Sequence, residues 1–179
     1  MSTADPGKRP IADQGANSRF AADSRPFLSI VIPTFRRRDA LALVLDEVSK
    51  QIIPLSESAE VIVSDDASAD GTAEWLRRRS EHEDLPLAWL SFACNGGPAR
   101  ARNEAAARAR GAVILLLGDD IVPAPGLLAR HARWHRSHAD DKEALLGRTT
   151  WPESMSVTPC MRFLEAGGRA FFLNYRDLP

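Results

Sequence analysis

The sequence predicts an α/β domain: a mostly parallel sheet with helices packed on both of its faces. Two observations carry that prediction. Four short apolar runs, at residues 28–32, 60–64, 87–92 and 113–117, alternate with segments whose apolar residues recur at helical spacing. The runs are also apolar at successive positions, as strands covered on both faces must be. Right-handed crossovers between such strands follow almost by rule. The 179 residues suffice for one core, and 44% hydrophobic with 26% charged residues is an ordinary globular balance. A net charge of -1 gives no electrostatic reason for a nucleic-acid partner. The two distant cysteines, Cys94 and Cys160, do not make a zinc site and read as reduced thiols. No run is long enough for a transmembrane segment, and no signal peptide is evident. The expected location is cytoplasmic, including the inner face of the membrane.

Residues 1–25 are rich in Ala, Ser, Asp, Gly and Pro without periodicity, and read as a disordered leader. Residues 26–179 read as the domain proper. Leu28 to Ile32 is the first strand, stopped by Pro33. Leu41, Val44, Leu45, Val48 and Ile52 then mark a helix, with Asp39 as its expected N-cap. The second strand, Glu60 to Ser64, runs into Asp65 and Asp66, and a short helix from about Gly71 to Arg79 should bury Trp75 and Leu76. The third, Leu87 to Phe92, leads to Asn95-Gly96-Gly97. Pro98 suits the first turn of the next helix and Gly111 its end. The fourth strand stops at Gly118-Asp119-Asp120, and Pro125 opens a helix through His138. Leu145 to Trp151 reads as a further strand, Pro159 to Ala166 as a further helix. The chain then stops at Pro179 in sequence that reads as the middle of something, so the domain is expected to be truncated at its C-terminus.

In an open parallel sheet, ligands bind beyond the carboxyl ends of the strands. Here those ends supply Pro33, Thr34, Phe35 and Arg36 to Arg38; Asp65 and Asp66; Asn95 and two glycines, with Arg100 and Arg102 on the helix that follows; and Asp119 and Asp120. Two carboxylate pairs on one edge repel unless a cation lies between them. Hard oxygen ligands suit Mg²⁺ or Mn²⁺, which takes phosphate oxygens as further ligands. Arginines and a helix N-terminus favour the anion. Together these describe a diphosphate site. Successive side chains of an extended segment point opposite ways, so Asp119 and Asp120 should do different jobs. Arg37 is the phosphate reader of its run by position.

Four strings, Ser29-Ile-Val-Ile-Pro-Thr-Phe35, Val61-Ile-Val-Ser-Asp-Asp-Ala-Ser-Ala-Asp-Gly-Thr72, Asn95-Gly-Gly-Pro-Ala-Arg-Ala-Arg-Asn103 and Leu115-Leu-Leu-Gly-Asp-Asp-Ile121, follow one another in register. In order and approximate spacing they resemble the family 2 glycosyltransferases of Rossmann-like GT-A fold, over residues 28 to about 135. The resemblance implies a nucleotide-diphosphate sugar as donor. Pro33 and Phe35 would lie against base and ribose, and Asp66 would accept a hydrogen bond from the base. Arg100 or Arg102 would approach the diphosphate. Asp120 would be the direct ligand of the divalent cation, which would neutralise the leaving group. It further implies in-line displacement with inversion, an acidic side chain deprotonating an acceptor hydroxyl. That base has no counterpart here and is expected beyond Pro179; the acceptor, a glycan, lipid or small molecule, is unknown. The sequence departs from the family pattern at Gly118, where many relatives carry the first Asp of an Asp-x-Asp triplet. It departs also at Arg36, in place of a common Asn, and at Ala67 and Ala69, in place of a common Gly and Thr.

The residue types exclude several rivals. A dehalogenase-type phosphatase needs a nucleophilic Asp where Ser68 stands. Thr34-Phe35-Arg36-Arg37 lacks the glycines of a dinucleotide site, and no Walker A loop is present. A nucleotidyltransferase would open with a glycine-rich loop. His131, His135 and His138 share helical spacing but have no acid or Cys at ligand spacing, and read as surface residues. Trp89, Trp134 and Trp151 read as core. The alternative to a transferase is a non-catalytic domain that binds the nucleotide sugar.

Overall fold

The computed structural model describes residues 10–23, 25–82, 84–138, 140 and 142–167. The backbone divides into two units, residues 1–139 and 140–179. The first holds a five-stranded sheet in the order β1-β4-β3-β2-β5: β1 (Ile11–Ala16), β2 (Leu28–Thr34), β3 (Ala59–Asp65), β4 (Leu87–Phe92) and β5 (Val113–Leu116). β2 runs parallel to β3 and β5, and β3 parallel to β4; β1 alone is antiparallel. The strands from β2 to β4 step outward in one direction, and the chain then returns to place β5 on the other side of β2. The strand order therefore reverses at β2.

Helices cover both faces, as the apolar runs predict. On one face α2 (Arg38–Ile52), α3 (Thr72–Ser80) and α5 (Leu127–Ser137) bury Leu41, Val44, Leu45, Val48, Leu76 and Leu128 against Ile30, Ile32, Val61, Val63, Leu87 and Trp89. On the other, Ala105 of α4 (Pro98–Ala106) and Phe20 of α1 (Ser18–Ala22) meet Val31, Ile62, Leu90 and Phe92. Pro98 opens α4 as expected. The N-cap of α2 is Arg37, not Asp39, and it makes no side-chain cap bond. Trp75 is only partly buried, whereas Leu76 is fully so.

Residues 11–22 are not a disordered leader. β1 is an edge strand, which needs backbone partners more than apolar side chains, so its polar sequence Ile11-Ala-Asp-Gln-Gly-Ala16 gives no strand signal. Asn17 fastens its end: its side chain caps α1 at the Phe20 amide (3.0 Å), donates to the Leu85 carbonyl (2.7 Å) and accepts from the Leu87 amide (3.2 Å). Arg77 pairs with Asp13. Residues 1–9 lie outside the described residues.

Gly111 does not end α4, which stops at Ala106. It lies where β5 enters the sheet, and a Cβ there would sit 2.6 Å from Ser29 Oγ. The Gly111 amide donates to that hydroxyl (2.8 Å), which donates in turn to buried Glu60 (2.6 Å). The Arg110 amide and guanidinium also donate to Glu60, at 2.7 and 2.8 Å. One carboxylate thus ties β2, β3 and the entrance to β5 together at the end of the sheet away from the acidic strand ends. β5 itself is less covered than its composition predicts: Ile114 and Leu116 are 45% and 54% exposed. His131 is buried rather than on the surface, and burial lowers its pKa, with charge repulsion from His135 adding to the effect.

In the second unit, Pro159–Gly167 forms the expected helix, α6, with Thr158 Oγ1 accepting from the Met161 amide (3.2 Å). Residues 145–151, expected to be a strand, form none. No helix among the described residues is long and apolar enough to cross a membrane.

Removing the Glu60 carboxylate leaves the Arg110 charge, the Ser29 hydroxyl and the Arg110 amide without their partner. Glu60→Ala should therefore lower the unfolding free energy by about 3 kcal/mol in a urea titration. A loss below about 1 kcal/mol would show that the network does not anchor β5.

Candidate functional site

The outlet of β2 lies between the outlets of β3 and β5, at the point where the strand order reverses. Side chains from different crossovers can meet there, with no helix passing over the gap. Register does the first part of the positioning. Thr34, the last residue of β2, pairs with Asp65, the last of β3, and the Asp66 amide donates to the Thr34 carbonyl (2.9 Å). Thr34 also reaches the other way: its hydroxyl donates to Asp119 Oδ2 at 2.8 Å. The two acidic strand ends are thus joined through one threonine.

The pairs do different work, and so do the members of each pair. Asp65 is fully buried, accepting from the Ser68 amide (3.0 Å) and the Ser91 hydroxyl (2.6 Å). Asp66 is 2% exposed and accepts the Gly96 and Gly97 amides at 3.0 and 2.7 Å; Asn95 donates to its carbonyl (3.3 Å). Both therefore fix loops. Each Asp66 oxygen keeps a second lone pair, so the expected hydrogen bond from a base to Asp66 would add to those two amides on a side chain that is 2% exposed. Asp119 is buried under Thr34, whereas the Asp120 side chain is 54% exposed. Arg37 bridges them, 3.2 Å from Asp119 Oδ1 and 2.6 Å from Asp120 Oδ2. The charges of Asp119 first, then Asp120, raise the Arg37 pKa above its ordinary value, so the guanidinium stays cationic.

Pro33 is buried at the end of β2 and Phe35 exposes part of its ring, over which the Arg36 guanidinium lies 5.0 Å from the centroid. Arg100 is exposed and Arg102 half-buried on α4, the helix that follows the glycine turn. A cavity of about 320 Å³ opens beside the cluster, lined by Arg36, Arg37, Arg38 and Asp70. Gln51 of α2 steadies the loop after Asp120: its side chain donates to the Pro123 and Ala124 carbonyls (3.1 and 3.2 Å) and accepts from the Leu128 amide (3.3 Å). Sequence reasoning passed over Gln51 and Ser91, and weighed Ser68 only as the residue in place of a phosphatase's nucleophilic Asp. A polar residue on an otherwise buried helix face was the available signal for Gln51.

Arg36 and Ala67 both have left-handed backbones, φ 53° and 65°. These are two of the positions at which the sequence departs from the family pattern, which has Asn and Gly there, the residue types that adopt this conformation most readily. The Arg36 amide donates to Ser68 Oγ (2.7 Å), which holds the two turns side by side.

The match to a family model decides the relationship. Residues 29–144 match the model described as glycosyl transferase family 2. The chain belongs to glycosyltransferase family 2. Among curated relatives, this family 2 chain is 33% identical over 109 residues to the uncharacterized glycosyltransferase YfnE of Bacillus subtilis, covering 61% of this chain and 27% of YfnE. It is 30% identical over 123 residues to the poly(ribitol-phosphate) beta-glucosyltransferase of Bacillus spizizenii, covering 68% of this chain and 19% of that protein. Among solved structures, Staphylococcus aureus TarS in complex with UDP-GlcNAc superposes with a TM-score of 0.58 at 28% identity, covering 72% of this chain and 38% of the other. The mannosyltransferase PcManGT from Pyrobaculum calidifontis, in complex with GDP-Man and Mn²⁺, gives 0.57 at 30%, covering 75% and 37%. The fold is therefore GT-A. The chain spans about a quarter or less of the length of these two curated relatives.

A divalent cation fits the family 2 site in a limited way. Among the described residues no three His, Cys, Asp or Glu side chains gather into a cage. Mg²⁺ and Mn²⁺ seldom need one when one or two carboxylates, waters and phosphate oxygens complete the shell. Asp120, exposed and ending on a cation already, has the character of such a single ligand.

Asp66→Asn would set an NH₂ group against one of the two amide donors and an oxygen without charge against the other. It should cost about 2 kcal/mol of stability in a urea titration. Unchanged stability would show that the 95–97 turn does not depend on the carboxylate.

Proposed function

We propose that this chain forms the donor site of a glycosyltransferase that moves a sugar from a nucleotide-diphosphate donor to an acceptor hydroxyl with the help of a divalent cation. The observation that carries the reading is the cluster Thr34–Asp119–Arg37–Asp120 at the point of strand reversal. Carboxylates gathered beside arginines at that place suit a cation and a diphosphate together. Family membership and the nucleotide-bearing complexes of TarS and PcManGT support it.

On this reading Phe35 offers its ring face to the base, above buried Pro33. Asp65 and Asp66 hold the walls of the base cleft from beneath, through Ser68, Ser91 and the 95–97 turn. Arg37, Arg100 and Arg102 take the diphosphate oxygens. Thr34 fixes the Asp119 carboxylate, leaving Asp120 to hold Mg²⁺ or Mn²⁺. That ion, when bound, supplies the positive charge that stabilises the departing nucleoside diphosphate.

Ligand-dependent stabilisation tests the reading. UDP or GDP at about a hundred times its dissociation constant should stabilise the fold by about 2.7 kcal/mol, read as a rise of several degrees in Tm. The rise should need Mn²⁺ and should vanish in Asp120→Ala. Stabilisation by UDP-GlcNAc or GDP-Man without transfer or hydrolysis would mark a binding-only domain. No response to any nucleotide would contradict the proposal.

A further inference from the structure

The Asp120 carboxylate, the one acid of the cluster open to a metal ion, is already taken by an internal cation. Arg37 donates to it at 2.6 Å while also holding Asp119 at 3.2 Å. Gly118 gives the carboxylate its room: a Cβ at that position would stand 2.9 Å from Asp120 Oδ1 and 3.0 Å from Ile121 Cγ1. The Arg37 side chain is 54% exposed and sits just ahead of α2 in a loop, so its head can leave the acids without disturbing the core.

We infer that Arg37 competes with the divalent cation for Asp120, and that the diphosphate resolves the competition by drawing Arg37 onto its own oxygens. The inference rests on the donor-site reading and makes Arg37 a positioning residue as well as a phosphate ligand. Charge balance supplies the reason. Two carboxylates against one guanidinium leave the cluster with one negative charge. A divalent ion added alone reverses that sign and crowds two cations onto one carboxylate. A divalent ion added with the doubly charged diphosphate of a nucleotide sugar restores the original balance, a free nucleoside diphosphate leaves it about one charge more negative, and in both cases the guanidinium gains a bidentate partner that suits it better than two separate acids. Cation and nucleotide should therefore bind with strong mutual cooperativity, and each should raise the affinity for the other by the same factor. Arg37 also offsets one of the two acidic charges in the free protein, which weakens the open site's hold on stray metal ions.

Mn²⁺ binding to the full chain, followed by the EPR signal of the free aqueous ion, tests this with and without UDP or GDP. In the absence of nucleotide, Arg37→Gln should bind Mn²⁺ about tenfold more tightly than wild type, because one positive charge has left the site. Arg37→Lys, which keeps the charge, should match wild type in this nucleotide-free arm. On adding UDP or GDP, the gain in Mn²⁺ affinity should be about tenfold smaller in Arg37→Gln than in wild type. A far-ultraviolet melt confirms that each variant is folded, and Arg37→Met carries the same test if the glutamine variant is not. If wild type binds neither nucleotide with Mn²⁺, the donor-site reading fails and the inference with it. If wild type binds them and Arg37→Gln takes up Mn²⁺ no more tightly than wild type, the inference alone is overturned.

Discussion

The hydrogen bond from the Thr34 hydroxyl to the Asp119 carboxylate is the interaction on which the site depends. β2 is the only strand of the sheet with a parallel neighbour laid down before the reversal on one side and after it on the other. Its last residue therefore touches both arms of the fold. Thr34 is tied to β3 by register and by the Asp66 amide, and to the segment after β5 by its own hydroxyl. Without that link Asp119 would be a buried carboxylate facing only Arg37, and the position of Asp120 beside it would be set by a loop alone. Burial gives the bond its value, since an unpaired acid there costs more than the bond itself contributes.

The rest of the molecule keeps β5 where that bond can form. At the far end Glu60 gathers Ser29, Arg110 and the backbone beside Gly111, fixing where β5 enters. Beyond the outlet Gln51 holds the turn of residues 123–128 against α2. Between these anchors β5 has four residues, so a shift at either one would carry directly to Asp119. The constraint comes from two polar side chains, Glu60 and Gln51, that hydrogen-bond to the scaffold at either end of this segment.

Much of this was legible in the sequence, for reasons that differ from residue to residue. Asp65, Asp66, Asp119 and Asp120 each follow an apolar run, and parallel strands must end on the same edge, so their convergence needed no structure. Pro98 marked the start of α4 for an equally local reason. The division of labour among the acids was not legible, because it depends on which side chain meets the 95–97 amides and which remains in water. β1 escaped because an edge strand is held by backbone bonds and by Asn17, neither of which leaves a periodic apolar trace. His131 was read as exposed because its spacing with His135 and His138 says nothing about which face α5 buries. Arg36 and Ala67 looked like mere departures from a family pattern until their backbones proved left-handed.

A double-mutant cycle on Thr34→Val and Asp119→Ala measures the link between the two acidic outlets directly, with unfolding free energy in urea as the readout. If the threonine joins them as described, the two substitutions should fall short of additivity by about 1 kcal/mol, since either one removes the same bond. Additivity within about 0.3 kcal/mol would mean that the hydroxyl and the carboxylate are energetically independent, and the site would lose the connection that makes its two halves one.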